Sequence, residues 1–246
     1  MCGRFTLKTP VFDWLMDLFP ERFGPDRLQQ LARISPLTEH PRYNIAPTQQ
    51  IMVLHQDDSS GLFRLDGMRW GLVPGWADDL AIGARMINAR SETVAEKPSF
   101  RPSLADKRCV VLADGYYEWQ KITPKEKQPH WIHRPNEQLF AMAGLWAENR
   151  RFRSDQSDAP LKSATIITTP SNQDTRLVHD RMPAILTNAT SIQQWLTLDW
   201  KQEENQQKIL SLLEPAPTGT FQLRRVSNAV GKPQNDSQCL IESLSD

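Results

Sequence analysis

The chain begins Met1-Cys2-Gly3, and Cys2 is the first residue that can do chemistry. Enzymes that trim an initiator methionine act when the second residue is small, and cysteine is small. Trimming leaves Cys2 with an α-amine and a thiol on adjacent carbons. An α-amine titrates at about 8 and a thiol at about 8.5, so both are partly nucleophilic near neutrality. Two reactions suit such a pair. The thiolate can attack an amide while the amine serves as its base. Alternatively, the amine condenses with an aldehyde to an imine, and the thiol adds to the imine carbon and closes a five-membered thiazolidine.

Other residues have the chemistry to assist. Glu118 stands between Tyr117 and Trp119 in "DGYYEW". Aromatic neighbours on a strand desolvate a carboxylate and raise its pKa, which suits acid/base work. The plain alternative is an outward-facing strand glutamate. His179 lies in "HDRMP", between a valine and Asp180, with Arg181 next. Histidine is the usual proton shuttle near neutral pH, although an isolated one is more often structural. Asn88 and Arg90 are two apart in "INARSET" and share a face if that segment is extended. Asparagine orients a reacting group and arginine grips a phosphate; ordinary turn chemistry is the alternative. Pro47, Trp70 and Trp76 occur in "RYNIAPT" and "RWGLVPGW" and offer platforms against nucleobases if exposed. For Trp70, core packing is the better reading.

Bulk properties narrow the classes. A chain of 246 residues, 39% hydrophobic, can bury a full core. The first twenty residues lack the basic start and apolar centre of a secretory signal, and no apolar run reaches the length of a membrane span. Three cysteines, Cys2, Cys109 and Cys239, are too few for a disulfide framework and fit a reducing compartment, the cytoplasm. With no CxxC pair and no HExxH, neither metal nor cofactor is expected. Lysine plus arginine balance aspartate plus glutamate at 29 each, which does not mark a nucleic-acid binder. The charges are uneven, though. Arg69, Arg85, Arg90, Arg101, Lys107 and Arg108 crowd one stretch and Arg150, Arg151 and Arg153 another. Solvated surface explains both; a local basic groove is the alternative, and it would bind in a salt-sensitive way.

These residues need elements to position them. "TPVFDWLMDLF" reads as a short helix, with Thr9 able to cap, Pro10 in the first turn and Val11, Trp14, Leu15 and Leu18 at helical spacing. Residues 20–50 read as loop with at most one short helix. "IMVLH" is a strand, and "LFRLDGMRWGLVP" two extended pieces bent at Asp66-Gly67. "RCVVLADGYYEW" is a buried strand, a turn at Asp114-Gly115 and a second strand. "QPHWIHR" and "LFAMAGLW" pair across "PNEQ". "SATIITT", "MPAIL" and "TFQLRRV" are further strands; residues 191–198 and the segment around Ile209, Leu210 and Leu213 are helices. Strands interleave with few helices and no repeat or linker divides the chain. That predicts one α+β domain over residues 1–246, a mixed or barrel-like β-sheet with flanking helices.

Seven segments, "MCGRF", "RYNIAPTQ", "RWGLVPGW", "INARSET", "DGYYEW", "HDRMP" and "SNAVG", occur in one order from residue 2 to about residue 231. Together they resemble the SOS-response-associated peptidase (SRAP) family. The resemblance implies a single α+β domain around a barrel-like sheet. It also implies removal of Met1 and covalent attachment of Cys2 to abasic sites in single-stranded DNA through a thiazolidine. It gives acid/base work to Glu118, proton transfer to His179 and orientation of the reacting sugar to Asn88. DNA contacts fall to Arg4, Arg90 and Arg181, with Pro47 and Trp76 bordering the bases and Thr168 lining the pocket. Minor strand scission by β-elimination and self-cleavage of the Met1-Cys2 bond are implied too. A monomer off the membrane is expected, in the cytoplasm and on the nucleoid when bound to DNA. Two rivals remain. A class II glutamine amidotransferase also matures to an N-terminal cysteine followed by glycine, but typically carries further glutamine-binding motifs such as "NGEI". A non-catalytic single-strand DNA binder would hold intact and abasic DNA equally.

Overall fold

The computed structural model describes residues 2–21, 37, 40–57, 59–154 and 157–244. Most of the loop expected over 20–50 lies outside them. Among the described residues, thirteen strands fall into two sheets. The larger one closes on itself. Strands β3 (Gln50–Gln56), β4 (Phe63–Trp70), β6 (Arg108–Ala113), β9 (Phe140–Ser154) and β10 (Ser157–Pro170) form a ring. Its neighbours are β4-β3-β6-β9-β10, and a short parallel pairing of Ser163 with Arg69 and Ala164 with Trp70 returns β10 to β4. Closure removes the free edges that an open sheet would leave. All of β6 is buried, as expected for a β-branched and apolar run covered on both faces.

The second sheet runs β13-β8-β7-β1-β2, from β1 (Phe5–Leu7), β2 (Arg42–Ile45), β7 (Gly115–Lys121), β8 (Lys127–His133) and β13 (Gln222–Arg225). Its side chains alternate between two cores. Tyr116 and Ile132, paired across β7 and β8, join the main core; the next pair, Tyr117 and Trp131, joins a smaller one. That smaller core is completed by Val226, Val230, Leu240 and Ile241 near the end of the chain. Helix α1 (Phe12–Leu18) buries Leu15, and Val11 and Phe19, buried too, flank it at helical spacing. A short helix α2 (Arg101–Asp106) precedes β6. Helix α3 (Ala189–Thr197) starts at an Asn188–Ser191 capping box and buries Ile192, Trp195 and Leu196. Helix α4 (Glu203–Ser211) follows. The fold is the α+β, barrel-like arrangement expected.

Two local expectations are corrected. Strand β4 is unbroken at Asp66-Gly67, which pair with Val53 and Met52 of β3. Gly67 does not take the positive φ that a type I′ turn requires, so the ladder carries the chain straight through. Strands β8 and β9 do not pair, because β8 lies between β7 and β13 while β9 enters the barrel. The "PNE" turn between them, with Asn136 at positive φ, passes the chain from one sheet to the other. The Asp114-Gly115 turn is such a crossing as well, since β6 and β7 lie in different sheets. Buried Asp114 anchors the corner by accepting hydrogen bonds from the Thr6 hydroxyl and the Lys8 and Thr9 N–H groups. Gly115 is fixed by space: a Cβ there would lie 2.0 Å from Trp131 Nε1.

Where β10 leaves the barrel, it acquires new neighbours. Strand β5 (Asn88–Arg90) pairs with Ile166–Thr168, and β11 (Arg181–Pro183) with Thr168–Pro170. Strand β12 (Ile185–Leu186) then pairs with β9. Several of the chemically capable residues therefore sit around one strand end.

Candidate active site

Cys2 enters just ahead of β1 and is fully buried. Its neighbour chain is β7, paired antiparallel to β1 with Phe5 opposite Tyr116; Tyr117 N–H donates to Arg4 O at 2.9 Å. Side chains two apart on β7 share a face, so Glu118 follows Tyr116 toward the main core. Only 3% of Glu118 is exposed. Burial raises its carboxyl pKa, and nearby His179 partly opposes the rise. The Cys2 thiol is also pushed up, chiefly by burial and then by the adjacent Glu118 charge. The thiol is thus held protonated.

Asn88, on β5, closes the site from the other sheet. Its Nδ2 donates to Cys2 O at 2.8 Å, while its Oδ1 is buried without a hydrogen-bond partner among the described residues. Core Trp70 fixes the approach of this strand, donating from Nε1 to Ile87 O at 3.0 Å. His179 precedes β11 and places Nε2 3.9 Å from Glu118 Oε2. Its Nδ1 meets Arg181 N–H at 3.1 Å and Asp180 Oδ1 at 2.8 Å. Cys2, Asn88, Glu118 and His179, spread over residues 2–179, therefore converge where the two sheets meet.

The remaining expected residues divide. Thr168 is buried and Arg90 exposed, two neighbours across β10 and β5. Trp76 is 57% exposed on the loop after β4. Pro47 is half-buried beside Thr48, whose φ is 72°. Trp70, by contrast, is wholly buried, as its core reading expected. The guanidinium of Arg4 donates to Asn44 Oδ1 (2.8 Å), Val230 O (2.9 Å) and Gly231 O (3.2 Å). The first and last of the seven segments are thereby tied together. Arg181 is mostly buried and bonds Glu92 and Thr168. Glu92 was not picked out in the sequence; the signal available was an acid two residues after Arg90 in the same segment. Arg108 is buried too, donating to the carbonyls of Leu104, Ala105, Trp195 and Leu198, so it leaves the basic group. Among the described residues no cluster of three or more His, Cys, Asp or Glu is placed to hold a metal ion, and no helix is long and apolar enough to cross a membrane.

A barrel-centred α+β fold with the cysteine at position 2 seated among asparagine, glutamate and histidine defines a class. The chain belongs to the SOS response associated peptidase (SRAP) family, whose model matches residues 1–233. It is 40% identical over 243 residues to the abasic site processing protein YoqW of Bacillus subtilis, covering 99% of this chain and all of that one. It is 31% identical to the abasic site processing protein YedK of Escherichia coli, covering 99% and 100% of the two chains. It is 34% identical to the abasic site processing protein HMCES of Gallus gallus, over 82% of this chain and 66% of that one. A crystal structure of a protein from Bacteroides thetaiotaomicron superposes with a TM-score of 0.77 at 25% identity, covering 99% and 100% of the chains.

Proposed function

We propose that this protein captures abasic sites in single-stranded DNA covalently, through Cys2 once Met1 has been removed. The observation that carries the reading is the convergence of Cys2, Asn88, Glu118 and His179 at one junction, with Asn88 bonded to Cys2 O at 2.8 Å and His179 3.9 Å from Glu118. The names of the relatives support the substrate class.

The chemistry runs as an aldehyde condensation. An abasic deoxyribose opens to an aldehyde, and the Cys2 α-amine attacks its carbon. Glu118, whose pKa burial raises so that it keeps a proton more readily than an ordinary carboxyl, or His179, protonates the departing hydroxyl, which leaves as water. The thiol then adds to the imine carbon and yields its proton to the carboxylate. Aldehyde plus aminothiol give thiazolidine plus one water. The raised thiol pKa fits this order, with the amine first and the thiol second. The orphaned Asn88 Oδ1 suits a sugar hydroxyl, which would satisfy it. If the imine persists, β-elimination cuts the strand, so scission is the minor outcome. Exposed Arg90 and Trp76 are the contacts for phosphate and base. Arg4 and Arg181 already spend most of their donors inside the protein, which limits each to a lesser phosphate contact.

The test is a denaturing gel. Wild type mixed with abasic single-stranded oligonucleotide gives a heat-stable adduct, and Cys2→Ala gives none. A wild-type yield from Cys2→Ala would refute the assignment.

A further inference from the structure

Glu92 belongs to none of the roles above, yet it anchors the network behind His179. Its carboxylate accepts a forked pair of hydrogen bonds from Arg181, NH1 to Oε1 at 2.8 Å and NH2 to Oε2 at 2.9 Å. Arg181 also donates from Nε to Thr168 Oγ1 at 3.2 Å and from NH2 to Thr168 O at 2.6 Å. Four of its five N–H donors are thus committed, and its side chain is only 10% exposed. Such a forked Arg–carboxylate pair fixes orientation as well as position.

The backbone of Arg181 carries that order to His179. Ser171 N–H donates to Asp180 O at 3.0 Å across the β10–β11 ladder. In an antiparallel ladder the hydrogen-bonded pairs alternate, so the next N–H, that of Arg181, turns away from β10. It donates to His179 Nδ1 at 3.1 Å. A ring nitrogen that accepts is unprotonated, so the neutral ring carries its proton on Nε2, the atom 3.9 Å from Glu118 Oε2. Asp180 pulls the other way, since its Oδ1 lies 2.8 Å from the same Nδ1 and would accept a proton there. Its side chain is 87% exposed, so water screens it, whereas the backbone donor is fixed on β11.

We propose that Glu92 is a positioning residue. Through Arg181 it sets the tautomer and aim of His179, keeping Nε2–H directed at Glu118. The role rests on the proposed reaction at Cys2, but part of its test does not. In the unreacted protein, ¹⁵N imidazole shifts should report the Nε2–H tautomer for His179, and Glu92→Ala should convert it to a mixture with Nδ1–H. Adduct formation should slow by roughly tenfold or more in Glu92→Ala, as misplacement of a reacting group costs. Glu92→Asp, which keeps a carboxylate, should recover most of the loss, whereas Glu92→Gln should not. Should Glu92→Ala fail to fold, Thr168→Val, which removes the Nε acceptor of Arg181 together with the long bond from Thr168 Oγ1 to Ala89 O at 3.4 Å, should shift the tautomer in the same direction. An unchanged tautomer in a folded variant overturns the proposal. So does a Glu92→Ala protein that binds intact single-stranded DNA more tightly and with a steeper salt dependence. That result would make Arg181 a phosphate ligand restrained by Glu92. If the wild type forms no adduct, the reading of the site fails while the tautomer measurement still decides the role of Glu92.

Discussion

Glu118 sits where water cannot solvate its charge, and that position has a stability consequence. Its folded pKa is raised above the ordinary carboxyl value of the unfolded chain. The native state is therefore unpenalised at pH below the unfolded value, and loses stability as pH rises through the raised one. Glu118→Gln keeps the shape without the charge. It should melt about 2–4 °C above wild type at pH 7, with the gain vanishing below about pH 4; calorimetry from pH 4 to 8 reads this directly. The same variant should form adduct more slowly, because an amide cannot pass a proton and only His179 is left to do so. Asn88→Ala, deprived of its bond to Cys2 O, should form adduct roughly tenfold to a hundredfold more slowly in single-turnover kinetics, with little change in melting. Residue type made Cys2, Asn88, Glu118 and His179 candidates, each beside a plain alternative, and the resemblance of the seven ordered segments gave them their expected roles. Glu92 was not among them, because its meaning comes from Arg181, 89 positions away.

Among the elements, the strands were legible from apolar alternation and β-branched runs, but their partners were not. "QPHWIHR" and "LFAMAGLW" look like a hairpin because they are close in sequence; the structure sends them to separate sheets. Pairing is decided by which core each face must cover, a property of the whole sheet. The Asp114-Gly115 corner was legible as a turn, though not as the passage between sheets that carries Glu118 to Cys2. Its chemistry yields two predictions. Asp114→Ala abandons three donors, one of them a hydroxyl, and should cost at least about 3 kcal/mol in urea denaturation. Gly115→Ala drives a methyl into Trp131, so β7 must shift. It should cost a similar amount, at about 3 kcal/mol, and lower adduct yield in the fraction that stays folded.

On the scale of the molecule, the segments around Arg4 and Asn44 are tied to residues 230–235, far along the chain. Arg4 holds the carbonyls of Val230 and Gly231, and Asn44 those of Val230, Lys232 and Asn235. Val230 in turn shares the smaller core with Tyr117 of β7 and Trp131 of β8. Arg4→Ala should therefore speed amide exchange through residues 228–235 under native conditions, a change mass spectrometry resolves by segment. The sequence disclosed "SNAVG" as one member of an ordered set. A hydrogen bond spanning 226 positions could not be derived from spacing. What decides the account, however, is whether a freed Cys2 reacts. Intact-mass spectrometry of the purified protein, before and after mixing with an abasic single-stranded oligonucleotide, reads both steps together. The account predicts a protein lacking Met1 that gains the mass of the oligonucleotide less one water. A protein that retains Met1, or one that lacks it and gains nothing, would contradict it.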